Sequence, residues 1–139
     1  MKEIVIHHLV KSEDLNHHGT LFAGRMAEWF VEASFAAAAS AYGKPESIVC
    51  LKVHGFRFFQ PINNGSIIKI VSKLVKTGRT SLTVYASVTD EKTGDFLVDG
   101  FITFVSVDEK GNKIVHGLPT PVAENQAETD LAKKAESLR

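Results

Sequence analysis

The sequence contains few features that would supply cross-links or a strong overall electric field. It has a single cysteine, Cys50, so no disulfide can form within the chain. Its 139 residues fit one domain, which is large enough to bury a core without a disulfide or metal. Lysine plus arginine equals aspartate plus glutamate at 16 each, so the formal charge is zero. This balance gives no reason to expect a nucleic acid or an anionic membrane as a partner.

Long uninterrupted apolar segments are also lacking. The opening MKEIVIHHLVKSED is too charged for a signal peptide, so we expect a cytoplasmic protein. The apolar stretch that begins at Gly24 contains Arg25, Glu28 and Glu32, and it is too short to cross a bilayer, so no stable membrane insertion is expected. Without repeats or a linker, the chain is expected to form one domain over residues 1–122, followed by a charged helical tail over residues 123–139.

The stretch of residues 14–42 combines a polar turn, small residues and a mostly apolar segment interrupted by a few charges. From Gly24 onward, apolar side chains occupy every side of a 3.6-residue turn, which is typical of a buried helix. Tyr42 and Gly43, followed by Pro45, indicate the end of that helix. The sequence therefore predicts a long early helix inside the domain.

Two carboxylates stand out in this helix. Glu28 and Glu32 are four residues apart and share one face, and in a buried helix they are expected to be buried as well. The alternative is that this face reaches water, or that the acids pair with Arg25.

After the helix, the apolar pattern changes to a period of two. Leu82 and Val84 alternate with Thr83 and Tyr85, as in a strand with one face in the core. One long helix followed by antiparallel strands predicts an α+β fold, in which the sheet must wrap the helix and its unpaired edges can pair with a second copy. Strands are predicted at residues 4–10, 48–59, 67–75, 81–89 and 96–107.

Five short segments carry a resemblance to a known family. They occur in order as NHHGTLFAG at residues 16–24, EW at 28–29, FFQPI at 58–62, GRTS at 78–81 and FVSVD at 104–108. Together they resemble the acyl-CoA thioesterase branch of the hotdog-fold superfamily. The resemblance implies a hotdog fold, an antiparallel sheet around a long central helix. It also implies a homo-oligomer whose dimers build paired active sites, commonly as a trimer of dimers. The implied substrate is acyl-CoA, hydrolysed to a free acid and coenzyme A, with no further cofactor.

The same resemblance assigns roles around the start of the helix. Asn16 is expected to hold the attacking water or the thioester carbonyl, although an asparagine here also fits a plain turn. The backbone N–H of Gly24 is expected to stabilise the oxyanion, and the alternative is a glycine selected for packing alone. His17 and His18 lie in the same loop, where they are expected to contact substrate.

The identity of the base is the point where the sequence departs from the family. The family's usual acid falls on Val31, and Glu32 follows one residue later. We expect Glu32, and after it Glu28, to activate water, with direct attack to form an anhydride left open. The valine also fits a non-catalytic protein that binds acyl-CoA. A hotdog dehydratase is a further rival, but it would need a histidine beside the carboxylate, and the helix contains none.

The remaining predictions concern coenzyme A and metals. Arg79, Thr80 and Ser81 resemble a coenzyme A contact, since arginine binds phosphate through paired hydrogen bonds, although an exposed hairpin turn also fits. The six histidines include two adjacent pairs, and adjacent side chains in a strand point to opposite faces, so no metal site is expected.

Overall fold

A computed structural model describes residues 1–138. All strand pairs in its sheet are antiparallel, and the strand order is β1-β3-β4-β5-β2. The expected α+β class is confirmed, and each predicted strand boundary lies within two residues of the observed one. The elements are β1 (Glu3–Leu9), α1 (Ala23–Tyr42), β2 (Ile48–Phe58), β3 (Ile67–Thr77), β4 (Ser81–Asp90), β5 (Phe96–Ser106) and α2 (Gln126–Glu136).

Helix α1 packs against one face of this sheet and contacts all five strands. Met26 and Phe30 are fully buried there, and the ring of Phe30 meets that of Phe56 edge to face with 4.7 Å between their centroids. The buried hydroxyl of Ser72 on β3 donates a 2.9 Å hydrogen bond to the carbonyl of Ala33. Gly43 ends the helix with a left-handed φ of 82° and donates to the carbonyl of Ala39, so the predicted stop is confirmed.

The prediction that α1 is buried on every side is wrong. The side facing the sheet is covered, whereas Glu28 and Glu32 lie on the opposite side and are exposed. Small alanines make the sequence apolar all round without needing cover on all sides, so the apolar pattern overstated the burial. Glu28 instead pairs with Arg25 at 3.3 Å, as the alternative interpretation expected.

Helix α2 packs against the other face of the sheet, where Ala135 is buried against Val75 and Phe101. The helix predicted in the tail therefore exists, but it is firmly docked rather than loosely attached. Glu128, in the first turn of α2, is buried. Its carboxylate lies 3.1 Å from the Lys73 ammonium and 3.2 Å from the N-terminal ammonium of Met1.

The sheet has two ends, and each end carries a different set of loops. At the end called the loop end, β1 runs into residues 10–22, which pair with residues 62–63 beyond the end of β2. At the opposite end, called the turn end, the hairpin between β3 and β4 lies beside the start of β2 and the end of β5. Among residues 1–138, no helix is both long and apolar enough to cross a membrane.

Candidate functional site

The side chain of Asn16 organises the loop before α1. Its Oδ1 accepts hydrogen bonds from the backbone N–H groups of His18 at 2.8 Å and Thr20 at 3.2 Å, and its Nδ2 donates to the Thr20 hydroxyl at 3.2 Å. This is the turn-stabilising role of an asparagine. A primary amide has two N–H groups, so Nδ2 also carries a second donor.

The loop is fastened to the helix by an ion pair between the buried Asp14 and the partly exposed Arg25, which the sequence did not indicate. Asp14 is only 5% exposed, and its Oδ1 lies 3.2 Å from Nε of Arg25. The Oδ2 of Asp14 accepts a hydrogen bond from the backbone N–H of Lys11 at 2.9 Å. The backbone carbonyl of Asp14 accepts one from the backbone N–H of Phe22. In the sequence, Asp14 stands at the start of the polar turn, and no local pattern connects it with Arg25 eleven residues later. The ion pair fixes the loop relative to the first turn of α1.

Gly24 lies in that first turn, where backbone N–H groups have no acceptor within the helix. The helix dipole adds a partial positive charge at this end, which favours a negatively charged group. A Cβ on Gly24 would lie 2.5 Å from the ring of Phe22, so a larger residue would displace that ring. The glycine thus allows the Phe22 ring to pack directly against the first turn of α1.

An apolar cavity of about 380 Å³, the loop-end cavity, lies next to this helix start. Its walls come from the FFQPI segment and from the loop and helix beside it, because the N–H of Leu21 donates to the carbonyl of Ile62 at 2.8 Å. The fold therefore joins two segments that are far apart in sequence. The lining residues are Thr20, Leu21, Met26 and residues 58–62.

The outward side of α1 carries the two carboxylates proposed as bases. Glu28 is 68% exposed at its side chain and is held by Arg25. Glu32 lies close enough to His8 on β1 for its charge to act on that ring, which stacks on Trp29 with 4.3 Å between centroids. Burial lowers the pKa of His8, and the negative charges of Glu32 and Asp14 partly oppose this. A histidine thus lies near Glu32, and it comes from β1 rather than from the helix.

His17 and His18 lie exposed at the tip of the loop, with ring centroids 3.9 Å apart. Their position leaves both rings open to a ligand at the loop end. Across residues 1–138, no cluster of three or more histidine, cysteine, aspartate or glutamate residues is arranged to hold a metal ion.

Arg79, Thr80 and Ser81 lie at the turn end, away from the loop. The carbonyl of Thr80 accepts from the backbone N–H of Ser106 at 2.8 Å, which fixes the hairpin to the sheet and leaves Arg79 exposed. An eleven-residue strand such as β3 spans roughly 35 Å. One chain therefore does not bring these three residues together with Asn16 and Gly24.

A polar network on the α2 side of the sheet also escaped the sequence reasoning. Arg57 binds the buried Asp99 through two hydrogen bonds of 3.0 Å each, and the Tyr85 hydroxyl donates to the same carboxylate. Burial and the negative charge of Asp99 raise the pKa of Tyr85 far above its usual range. Arg57 therefore has a structural role in binding Asp99. The residues next to Arg57 in the sequence gave no sign of this network.

The chain is similar in sequence and in fold to known acyl-CoA thioester hydrolases. A curated relative from Buchnera aphidicola, described as an uncharacterized acyl-CoA thioester hydrolase, is 28% identical over 116 residues, covering 78% of this chain and 84% of the relative. An apo-hexameric acyl-CoA thioesterase structure superposes with a TM-score of 0.86 at 25% identity, covering 97% of this chain and 86% of that one.

An acyl-CoA hydrolase from Staphylococcus aureus, solved with butyryl coenzyme A and coenzyme A, superposes with a TM-score of 0.85. At 23% identity, covering 96% of this chain and 79% of that one, it shows the fold alone and agrees with the expected hotdog arrangement. The sequence model of the thioesterase superfamily matches residues 18–96, which include the end of the loop, α1 and the strands β2, β3 and β4. Because this match spans more than half of the chain, the protein belongs to the thioesterase superfamily.

Proposed function

We propose that this protein is an acyl-CoA thioesterase, which hydrolyses an acyl-CoA to a carboxylic acid and coenzyme A without a further cofactor. The observation that carries the proposal is the open helix N-terminus at Gly24 beside the loop-end cavity. An apolar cavity accommodates an acyl group, and backbone donors at its edge stabilise an oxyanion. The similar proteins, named as acyl-CoA hydrolases and thioesterases, support the same substrate class.

The reaction follows from these groups. A water attacks the thioester carbon, and the carbonyl oxygen becomes an oxyanion that accepts from the N–H of Gly24. The second N–H of Asn16 positions the water, while a carboxylate takes its proton. Collapse of the tetrahedral intermediate breaks the C–S bond, and the leaving thiolate takes up that proton to give free coenzyme A.

Glu32 is the first choice for the base, with Glu28 second because Arg25 already pairs with it. Glu32 follows Gly24 by eight residues, which is roughly 12 Å along a helix axis. Within one chain, the Gly24 N–H and the Glu32 carboxylate are therefore too far apart to act on the same thioester. We therefore assign the base to a second copy of the chain, whose α1 faces the first.

A dimer through β2 fits this requirement. β2 is an edge strand, and Val49, Leu51 and Val53 are each exposed along it. Antiparallel pairing of β2 with its own copy would bring the turn end of one chain beside the loop end of the other. Arg79, Thr80 and Ser81 of the copy would then reach coenzyme A bound near His17 and His18. Three such dimers would give a hexamer, the state described for one of the similar structures.

The test is release of free thiol from a panel of acyl-CoAs of different chain length by the purified protein. Turnover of at least one is expected, with sedimentation showing an even-numbered oligomer. Absence of thiol release from every substrate would refute the hydrolase.

Val31 at the family's usual acid position favours one alternative, a non-catalytic acyl-CoA binder. That alternative predicts calorimetric binding of acyl-CoA without thiol release. A gain of activity in Val31→Asp would then show that only the acid is missing.

A further inference from the structure

A second apolar cavity lies at the turn end, outside the site at the loop end. This turn-end cavity has a volume of about 370 Å³ and lies between the last turns of α1 and residues 115–122. Ala37, Ser40 and Ala41 form its floor, and Ile4 and Leu74 form one wall. The floor residues share one side of the helix and are short, so they leave space that longer side chains would fill.

Residues 115–122, called the strap, form its roof. His116 fixes the strap to the hairpin between β3 and β4, since its backbone N–H donates to the carbonyl of Arg79 at 3.2 Å. Its Nδ1 accepts from the backbone N–H of Leu118 at 2.9 Å, which leaves Nε2 to donate to the carbonyl of Ser81 at 3.1 Å. Thr77 adds a hydrogen bond to the carbonyl of Pro119. The roof is therefore anchored rather than loosely laid over the helix.

The cavity opens to solvent along one side, where Ser40 and Ala41 are exposed. Small-molecule sites in proteins are concave clefts of this kind, lined mainly by apolar side chains. Its volume falls at the lower end of the roughly 300–1,000 Å³ that small-molecule sites occupy. A short or medium alkyl chain fits that size better than a long one.

The charged groups at the opening of the turn-end cavity indicate which class of ligand fits it. Lys2 lines the opening with an exposed side chain. The Met1 ammonium beside it is bound to Glu128 at 3.2 Å and lies 3.9 Å from Glu124. Glu124 also lines the opening, but its side chain is 78% exposed and can point into water. Lys2 is thus the cation at the mouth that a ligand's carboxylate can reach.

From this arrangement, we propose that the turn-end cavity binds a medium-chain fatty acid, with the alkyl chain on Ala37, Ser40 and Ala41 and the carboxylate at Lys2. The site lies at the opposite end of α1 from Gly24 and needs no catalytic group. Binding is therefore independent of whether the protein hydrolyses thioesters.

The test measures decanoate binding to the full-length protein by isothermal titration calorimetry, without turnover. Ala41→Phe should fill the cavity. Each methylene excluded from an apolar site weakens binding about fourfold, so a loss of about tenfold or more is expected. Ala36→Phe is the matched control, since it places the same ring on α1 outside the cavity and should leave the affinity unchanged. Lys2→Ala should weaken decanoate about two- to fivefold, as for an exposed ion pair, without weakening 1-decanol.

Several outcomes would overturn the proposal. These are no saturable binding of decanoate, equal losses in Ala41→Phe and Ala36→Phe, or wild-type affinity in folded Ala41→Phe. The last result would place decanoate at the loop-end cavity as a reaction product. If Ala41→Phe does not fold, as judged by circular dichroism, Ser40→Leu makes the same test from an adjacent position on the floor.

Discussion

The loop end and the turn end of this sheet differ in how their polar groups are used. At the loop end, Asn16 bonds its own loop and Asp14 bonds Arg25, so the helix N-terminus at Gly24 is left as the open donor site. At the turn end, the side chain of Arg79 is exposed, and hydrogen bonds to backbone carbonyls hold the hairpin and the strap. In the proposed function, the oxyanion donor and the phosphate-binding arginine therefore lie at opposite ends of one chain. The proposal requires both ends in one site, which a second copy of the chain would supply.

The two ends also differ in what stabilises them. The loop end depends on local hydrogen bonds and on the apolar contacts of Met26 and Ile62. Near the turn end, α2 is held by a small apolar cluster and by the buried carboxylate of Glu128 between Lys73 and the N-terminal ammonium.

The largest expected effect concerns the base. Glu32→Gln keeps the size and hydrogen-bonding shape of the side chain but removes the proton acceptor, so turnover should fall by roughly 10²–10⁴. Because Glu32 is exposed, the thermal midpoint should change little. Steady-state kinetics and a thermal melt measure both.

Glu28→Gln, one turn earlier, is the matched control and should cost much less activity. The opposite ranking would move the base to Glu28. Near-normal turnover in both variants would exclude a carboxylate of this helix as the base.

Next in size is the contribution of the turn end to substrate binding. Arg79→Ala should weaken coenzyme A substrates about ten- to a hundredfold, since a charge-assisted contact is worth about 1.5–3 kcal/mol. Thioesters that lack the nucleotide should be unaffected, as KM measurements on both substrate types will show. Equal losses on the two types would mean that Arg79 supports the fold instead.

Mixing two defective variants tests the joining of the two ends directly. One variant, Asn16→Ala, has a defective loop end and an intact turn end. The other, Arg79→Ala, has an intact loop end and a defective turn end. In a two-fold dimer with shared sites, the mixed dimer has one site with both defects and one with none. Activity on acyl-CoA should therefore rise above that of either variant after subunits exchange. No rise in dimers shown to be mixed would place both ends of a site in one chain.

The smallest expected effect concerns α2 and its dependence on pH. Hydrogen bonding from the backbone of Glu124, and then the charges of Lys73 and the N-terminus, lower the pKa of Glu128 from 4.5 to about 2. A carboxyl whose folded pKa is lowered stabilises the fold above its unfolded value, and this contribution disappears as the pH falls through the folded value. Glu128→Gln should therefore lower the thermal midpoint at pH 7, and its difference from wild type should shrink between about pH 4.5 and pH 2.

Glu136→Gln, an exposed acid on the same helix, should show no such pH-dependent difference. A gap between Glu128→Gln and wild type that stayed constant across this range would mean that the lost packing, and not the charge, matters.

The sequence by itself determined the order and bounds of the elements. Alternation at Leu82 and Val84 identified a strand, and Gly43 marked the end of α1, because these signals depend on neighbours along the chain. The segments at the loop and at FFQPI also pointed to the right family before any contact between them was visible. Their joining into one cavity was not predicted, because it depends on the backbone hydrogen bond between Leu21 and Ile62, which lie far apart in the chain.

The tertiary structure alone decided which side of α1 is covered and which groups meet. An alanine-rich helix presents nearly the same apolar character in every direction, so its sequence could not show that Glu28 and Glu32 face away from the sheet. The pairing of Asp14 with Arg25, and the placing of Arg79 far from Gly24, depend on where strands end in space. Contacts between distant residues are set by strand order and packing, which a local pattern does not encode.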